Sequence, residues 1–139
     1  MADDSPSGTS LDASFLNGTW LSGCDAIGAS SARYCTTFSG ADGFATRTMF
    51  YAASATCSGT SNVVDGSGTY ALAGAATIPA GATKVNLVLG GFGPRFSVLA
   101  PDGANLEFGK EDETHDGSTD AQRYARFMAD PHTKGTCPF

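Results

Sequence analysis

The sequence predicts an all-β domain, an antiparallel up-and-down β-barrel of about eight to ten short strands, with a β-sandwich as the alternative. Three observations favour it. Glycine is frequent, at 18 of 139 residues, and charged residues make up only 16%. Apolar and polar residues alternate in short segments, which turn-forming sequences separate. A sheet of that many strands has long exposed edges unless it closes on itself, so we expect a barrel.

The strands follow from this alternation. The turn Ser-Gly-Ala-Asp-Gly at 39–43 joins two of them, because Asp-Gly supplies the positive-φ residue of a tight hairpin. The segment 121–128 is predicted as a strand or irregular structure, with a short helix capped by Asp120 as the alternative. The other predicted strands span residues 15–23, 33–39, 44–52, 69–73, 83–89, 95–100 and 104–109.

The chain is long enough for one domain with its own apolar core, which we place at residues 13–139. Residues 1–12 are predicted to be a disordered leader, since they are polar and contain glycine, serine and proline. Such a leader is what remains after removal of a signal sequence, or of a lipoprotein anchor with its tether. Membrane contact is expected only through such an anchor, because no apolar run is long enough for a transmembrane helix.

The formal net charge of −6 argues against nucleic acid as a partner. The basic residues are scattered along the chain and form no patch that would bind phosphates.

The cysteine count favours two disulfides in an oxidising compartment, because no Cys-x-x-Cys pair or His/Cys cluster indicates a zinc site. In a meander of the first three strands, the end of the first and the end of the third lie at the same rim. This predicts a Cys24–Cys57 bond and, by elimination, a Cys35–Cys137 bond that fixes the C-terminal tail.

The segment Gly18-Thr19-Trp20 resembles the Gly-x-Trp element that begins the first strand of lipocalins. Avidins also open with Gly-Thr-Trp, but their biotin-contacting residues have no match here. In lipocalins the tryptophan closes one barrel end and stacks under an arginine from near the last strand. The resemblance therefore implies structural roles for Gly18 and Trp20, with Arg123 or Arg126 as the stacking arginine.

A longer stretch of the chain is similar to a group of uncharacterised bacterial exported proteins and lipoproteins with a lipocalin-like small barrel. The similarity rests on the order and spacing of four segments, which lie at 16–24, 36–57, 68–74 and 106–123. Cys35 and Cys137 depart from that pattern. The resemblance implies a periplasmic, outer-membrane or extracellular location and a β-barrel, and it implies no activity.

No constellation of residues indicates catalysis, so we assign no catalytic residue, metal or cofactor. His115 and His132 lie in polar segments predicted as loops, without a nucleophile elbow. The acidic segment 110–120 carries oxygen ligands of the kind that Ca²⁺ takes, but it lacks EF-hand spacing. We interpret it as a solvated loop in which Asp, Ser and Thr bond their own backbone.

The leading functional hypothesis is a non-enzymatic exported barrel that binds a small apolar or amphipathic ligand in its interior. The alternatives are an envelope structural or interaction module with a filled core, and a hydrolase with a site assembled from loops. The residues predicted to line the ligand cavity are Trp20, Phe38, Phe50, Tyr70, Leu87, Phe96 and Phe108.

Overall fold

The computed structural model describes residues 11–91 and 93–139. The described chain begins with one turn of helix, α1 (Ala13–Leu16), and a single 3-10 turn lies at Asp120–Gln122. No helix in this part of the chain is long and apolar enough to cross a membrane. The remaining elements are strands: β1 (Gly18–Leu21), β2 (Asp25–Ile27), β3 (Ser30–Ser39), β4 (Gly43–Tyr51), β5 (Asn62–Ala75), β6 (Thr83–Leu89), β7 (Gly93–Asp102), β8 (Asn105–Lys110), β9 (Arg126–Phe127) and β10 (Thr133–Lys134).

The strands form one curled antiparallel sheet with the order β10-β1-β3-β4-β5-β6-β7-β8-β9, and β2 pairs with β3. The C-terminal segment connects the two ends of this sheet. Lys134 pairs with Trp20 of β1, and His132 bridges Leu106 of β8. The prediction of an all-β, antiparallel up-and-down fold is therefore confirmed.

The core lies inside the curled sheet and is dominated by aromatic rings. Phe38 is its centre, with ring centroids 5.4 Å from Phe44, 4.9 Å from Tyr70 and 6.2 Å from Phe108. Trp20 is also buried, and its indole Nε1 donates a 2.9 Å hydrogen bond to the carbonyl oxygen of Leu16 at the end of α1. The short helix thus fixes the orientation of the tryptophan.

The first predicted strand, 15–23, is wrong at its N-terminal end, where the structure has α1. Asp12 caps this helix: its Oδ1 accepts a 2.9 Å hydrogen bond from the backbone N–H of Phe15, which satisfies a donor that a helix start leaves free. Leu11 is buried in the core. Leu11 and Asp12 therefore belong to the folded domain, and residues 1–10 of the predicted leader lie outside the described residues.

Strand β5 is longer than the predicted 69–73, since it extends over 14 residues and includes the sequence Asp-Gly-Ser-Gly at 65–68. Gly68 explains why glycine is needed there: a methyl group at its Cα would overlap the carbonyl oxygen of Val88 on β6. Glycine at this position allows the two backbones to approach closely. Because glycine is also typical of turns, the sequence alone does not distinguish the two cases.

Replacing Gly68 by alanine is expected to lower the free energy of unfolding by roughly 1–3 kcal/mol, because β5 and β6 must move apart to accommodate the methyl group. Urea unfolding followed by circular dichroism measures this loss. Gly23→Ala is the matched control, since its methyl group would have Asp130 as nearest neighbour at an ordinary 3.8 Å. Equal stability of the two variants would contradict the proposed close approach.

Both predicted disulfides are confirmed. Cys24 bonds Cys57, and Cys35 bonds Cys137, with sequence separations of 33 and 102 residues. No free cysteine occurs among the described residues. Two disulfides are compatible with an oxidising compartment.

The expected stacking of an arginine on Trp20 is wrong, because Lys134 takes that place with its Nζ 5.0 Å from the ring centroid. Gly18 gives it room: it has a φ of +127°, and a Cβ there would lie 2.8 Å from Cε of Lys134. Arg123 is instead buried over Phe96, with its Cζ 5.3 Å from the ring centroid. Arg126 is exposed in β9, opposite Lys110 of β8.

Arg123 has a structural role of a different kind. Its guanidinium donates hydrogen bonds to the carbonyl oxygens of Val85 (3.0 Å) and Ser97 (2.8 Å). It also bonds the side chains of Asn86 and Asp120, at 2.8 and 2.6 Å. These bonds attach the segment around the 3-10 turn to β6 and β7. The segment 121–128, predicted as strand or irregular structure, is mostly irregular and contains the two-residue strand β9. The short helix that was the alternative occurs as a single 3-10 turn, which Thr119 caps in place of Asp120.

Candidate functional site

A cavity of about 530 Å³ opens between β2, β3, β8 and the segment that follows β8. Its volume lies within the range of small-molecule sites. A second cleft, which Arg123 lines, has a volume of about 330 Å³ and is lined mainly by small and polar side chains. The residues that line the larger cavity are Asp25, Ala26, Ile27, Tyr34, Thr36, Phe108, Gly109, Lys110, Glu111, Tyr124, Met128 and His132.

The cavity adjoins the aromatic core through Phe108. The centroid of its ring lies 4.0 Å from that of His132 and 6.2 Å from that of Phe38. Thr36 of β3, which is buried, also lines the cavity. The inner wall is therefore an extension of the core with two polar side chains, a hydroxyl and an imidazole.

His132 is only 1% exposed, although the sequence placed it in a polar loop. Backbone pairing explains its position: its N–H donates to the carbonyl oxygen of Leu106 at 2.7 Å and its carbonyl accepts from the N–H of Leu106 at 3.0 Å. Its Nδ1 is buried and has no hydrogen-bond partner among the described residues. Burial lowers the pKa of this imidazole to about 4, although the carboxylate of Asp25 favours the charged form.

The polar rim of the cavity is organised around Asp25, which follows the disulfide-bonded Cys24. Lys110 Nζ lies 3.1 Å from Oδ1 of Asp25, and the hydroxyl of Tyr34 donates to Oδ2 at 3.4 Å. Burial raises the pKa of Tyr34 to about 12, together with the nearby carboxylates of Asp25 and Glu111. The phenol therefore stays neutral and remains a hydrogen-bond donor at neutral pH.

The segment after β8 forms the outer wall, and backbone hydrogen bonds attach it to the sheet. The N–H of Met128 donates to the carbonyl oxygen of Phe108 at 2.9 Å, and that of Tyr124 donates to Phe96 at 3.1 Å. A methyl group at Gly117 would lie 2.6 Å from the Tyr124 ring, so glycine there allows the loop to pack against this tyrosine. Tyr124 and Met128 are thereby held at the cavity.

We expect the stability of the domain to fall as the pH decreases from 6.5 to 4, because the unfolded chain binds a proton at His132 in this interval and the folded chain does not. The pKa of this imidazole is 6.5 in the unfolded chain and about 4 in the folded chain. The stability is unaffected by this group above pH 6.5, and about 3 kcal/mol is lost by pH 4. Urea unfolding as a function of pH measures it, and His132→Gln should weaken the pH dependence in this interval. An NMR titration of the His132 ring with a midpoint near 6.5 would contradict the prediction.

The acidic segment forms local turns, as predicted. Asp112 Oδ1 accepts hydrogen bonds from the backbone N–H groups of Thr114 and His115, both at 2.9 Å. Asp116 Oδ1 accepts from the N–H of Ser118 at 2.9 Å. The hydrogen bonds to Asp112 lower its pKa to about 2, and the one from the Thr114 backbone has the largest effect. Across residues 11–91 and 93–139, no three His, Cys, Asp or Glu residues form a group suited to a metal ion.

The structure separates the residues that we predicted to line one interior cavity. Phe108 is the member that lines the cavity described here. Trp20, Phe38 and Tyr70 are buried in the core, and Leu87 packs against it. The two remaining residues, Phe50 and Phe96, are half-buried and lie outside this core cluster.

Seven polar residues of the cavity were absent from the prediction: Asp25, Tyr34, Thr36, Lys110, Glu111, Tyr124 and His132. They come from separate segments of the chain, and no spacing rule connects them. The even cysteine count was the one usable signal, because the Cys24–Cys57 bond fixes the end of β1 immediately before Asp25.

No protein-family model, curated protein or solved structure matches this chain. The geometry of the cavity is therefore the basis for the function.

Proposed function

We propose that this chain is an exported, non-enzymatic β-barrel domain that binds one small amphipathic molecule in the cavity between β2, β3 and β8. The observation that carries the proposal is the composition of the cavity. An apolar wall that continues the core contains the buried imidazole of His132, whose Nδ1 has no hydrogen-bond partner among the described residues. An apolar wall that contains a single imidazole fits a ligand that is mainly apolar and has a hydrogen-bonding group.

The rest of the cavity fits an amphipathic ligand. Phe108 and Met128 offer apolar surface, and Ile27 adds an exposed aliphatic side chain at the rim. Tyr34 and the Asp25–Lys110 ion pair supply polar groups in the same cavity. A ligand with an apolar body and one or two hydrogen-bonding groups would cover the first set and pair with the second.

Export is part of the proposal because two disulfides join distant segments of this small domain. Such bonds persist in the periplasm or outside the cell and are rare in reducing compartments. The resemblance to bacterial exported proteins and lipoproteins supports the same location.

The test uses N-phenyl-1-naphthylamine, an uncharged amphipathic probe whose fluorescence increases in an apolar site. We expect saturable binding of one probe molecule per chain to the wild-type domain. Ile27→Trp should reduce the probe affinity at least about tenfold, because Ile27 lies on the same face of β2 as Asp25, is exposed at the cavity, and an indole there would fill its opening.

Val88→Trp is the matched control, since Val88 is 46% exposed on β6 and is not among the residues that line this cavity. It should bind the probe like the wild type. Equal affinity of the Ile27→Trp and wild-type domains, or no saturable binding to the wild type, would contradict the proposed site.

A second candidate function is association through a strand edge. Residues 62–66 of β5 pair with β4, whereas β6 pairs with β5 only from Gly68 onward. Val63 and Val64 in this stretch are 46% and 53% exposed. An unpaired edge with exposed valines can add a strand from a second copy of the chain. Sedimentation velocity should then show a dimer that Val63→Lys with Val64→Lys abolishes, and a monomer at every protein concentration would exclude this candidate.

A further inference from the structure

We infer that the ligand of this cavity is a small organic amine, protonated at neutral pH and attached to an apolar body. The inference rests on the proposed function and specifies its ligand class. Three features of the cavity wall carry it: the balance of charged groups, the aromatic rings that line the same cavity, and the acceptor capacity of the buried imidazole.

The balance of charges in the cavity is negative. Among the lining residues, all of which lie in the described part of the chain, Lys110 is the only side chain that is cationic at neutral pH. Its ammonium group is already paired with Asp25 at 3.1 Å. Glu111 also lines the cavity, is exposed, and takes part in none of the ion pairs among the described residues. One carboxylate therefore remains for a cation from solution.

Three aromatic side chains, those of Tyr34, Phe108 and Tyr124, line the same cavity as this carboxylate. Ring faces next to a carboxylate attract organic cations through the ring quadrupole, and this attraction strengthens where water is excluded.

The imidazole of His132 suits an amine donor. A neutral imidazole always has one acceptor nitrogen, and it does not repel a cation as an imidazolium would. Burial keeps this ring neutral at physiological pH. An ammonium group has several N–H donors and no acceptor, so it can bond an imidazole nitrogen and a carboxylate together. An anionic ligand would instead face Asp25 and Glu111, with a lysine that is already paired.

The experiment compares three ligands that share one aromatic body, by isothermal titration calorimetry at neutral pH: 1-naphthylmethylamine, 1-naphthylmethanol and 1-naphthoic acid. The amine should bind about tenfold more tightly than the acid and measurably more tightly than the alcohol. If the alcohol or the acid binds as tightly as the amine, the inference is wrong while the proposed binding function stands. If none of the three ligands binds and the fluorescent probe N-phenyl-1-naphthylamine does not bind either, both the inference and the proposed function are wrong.

Two variants locate the effect. Glu111→Gln should lower the affinity for the amine roughly threefold and leave the affinity for the alcohol unchanged. Glu113→Gln is the matched control, because Glu113 is exposed on the same loop and does not line the cavity. An equal loss in both variants would indicate general attraction by the acidic chain and would overturn the assignment of Glu111.

Discussion

Replacing Cys35 and Cys137 together by alanine is expected to lower the free energy of unfolding by about 4–5 kcal/mol. The disulfide closes a loop with a sequence separation of 102 residues, so its removal returns a large conformational entropy to the unfolded chain. The bond also fixes the C-terminal segment that contains β10 and His132. Its loss should therefore loosen the connection between β8 and β1 as well as the inner wall of the cavity.

The measurement is urea unfolding of the double variant, and the control is the corresponding Cys24→Ala with Cys57→Ala variant. Because the Cys24–Cys57 separation is 33 residues, its removal should cost about 3–4 kcal/mol in the same chain-entropy model. A smaller loss from the Cys35–Cys137 variant than from this control would contradict the importance of the long loop.

Replacing Phe38 by alanine is expected to cost about 3–5 kcal/mol of unfolding free energy, the range for a fully buried phenylalanine. Phe38 is 1% exposed and contacts aromatic rings on three other strands. Its removal leaves a cavity between β3, β4, β5 and β8. Because the Phe38 ring also supports Phe108, the affinity of the cavity for the naphthylamine probe should fall with the stability.

Urea unfolding again provides the stability, and Phe50→Ala is the matched control. Phe50 is half-buried and lies outside the core cluster, so the same truncation should cost less than half as much. Equal losses at the two positions would show that Phe38 is not the centre of the core.

The sequence predicts the regular hairpins well, because alternation is a local signal. The hairpin between β3 and β4 and the alternating β6 are examples. The chemistry of that turn was predicted incorrectly, since its positive-φ residue is Gly40 and Gly43 of Asp-Gly already belongs to β4. The sequence-based prediction fails where backbone contacts, and not side-chain patterns, determine the structure. Gly68 permits the close approach of β5 and β6, yet the glycine-rich sequence around it is also typical of a loop. Asp12 caps a helix too short to show any periodicity.

The disulfides were predictable because strand order restricts which cysteines can meet. The site was not, since its polar residues are brought together by long-range pairing. His132 is an example: it follows Pro131 in a polar tail, and only its bridge to Leu106 places it in the interior. Large aromatic residues indicated the core and, apart from Phe108, did not indicate the cavity.

Native mass spectrometry tests most directly whether this domain binds a small molecule in the cavity. The wild-type domain, purified from its natural source under non-denaturing conditions, should carry one small molecule per chain, and the Ile27→Trp variant expressed in the same host should not. A wild-type chain that carries no molecule, or an Ile27→Trp chain that retains the same molecule, would contradict ligand binding at this site.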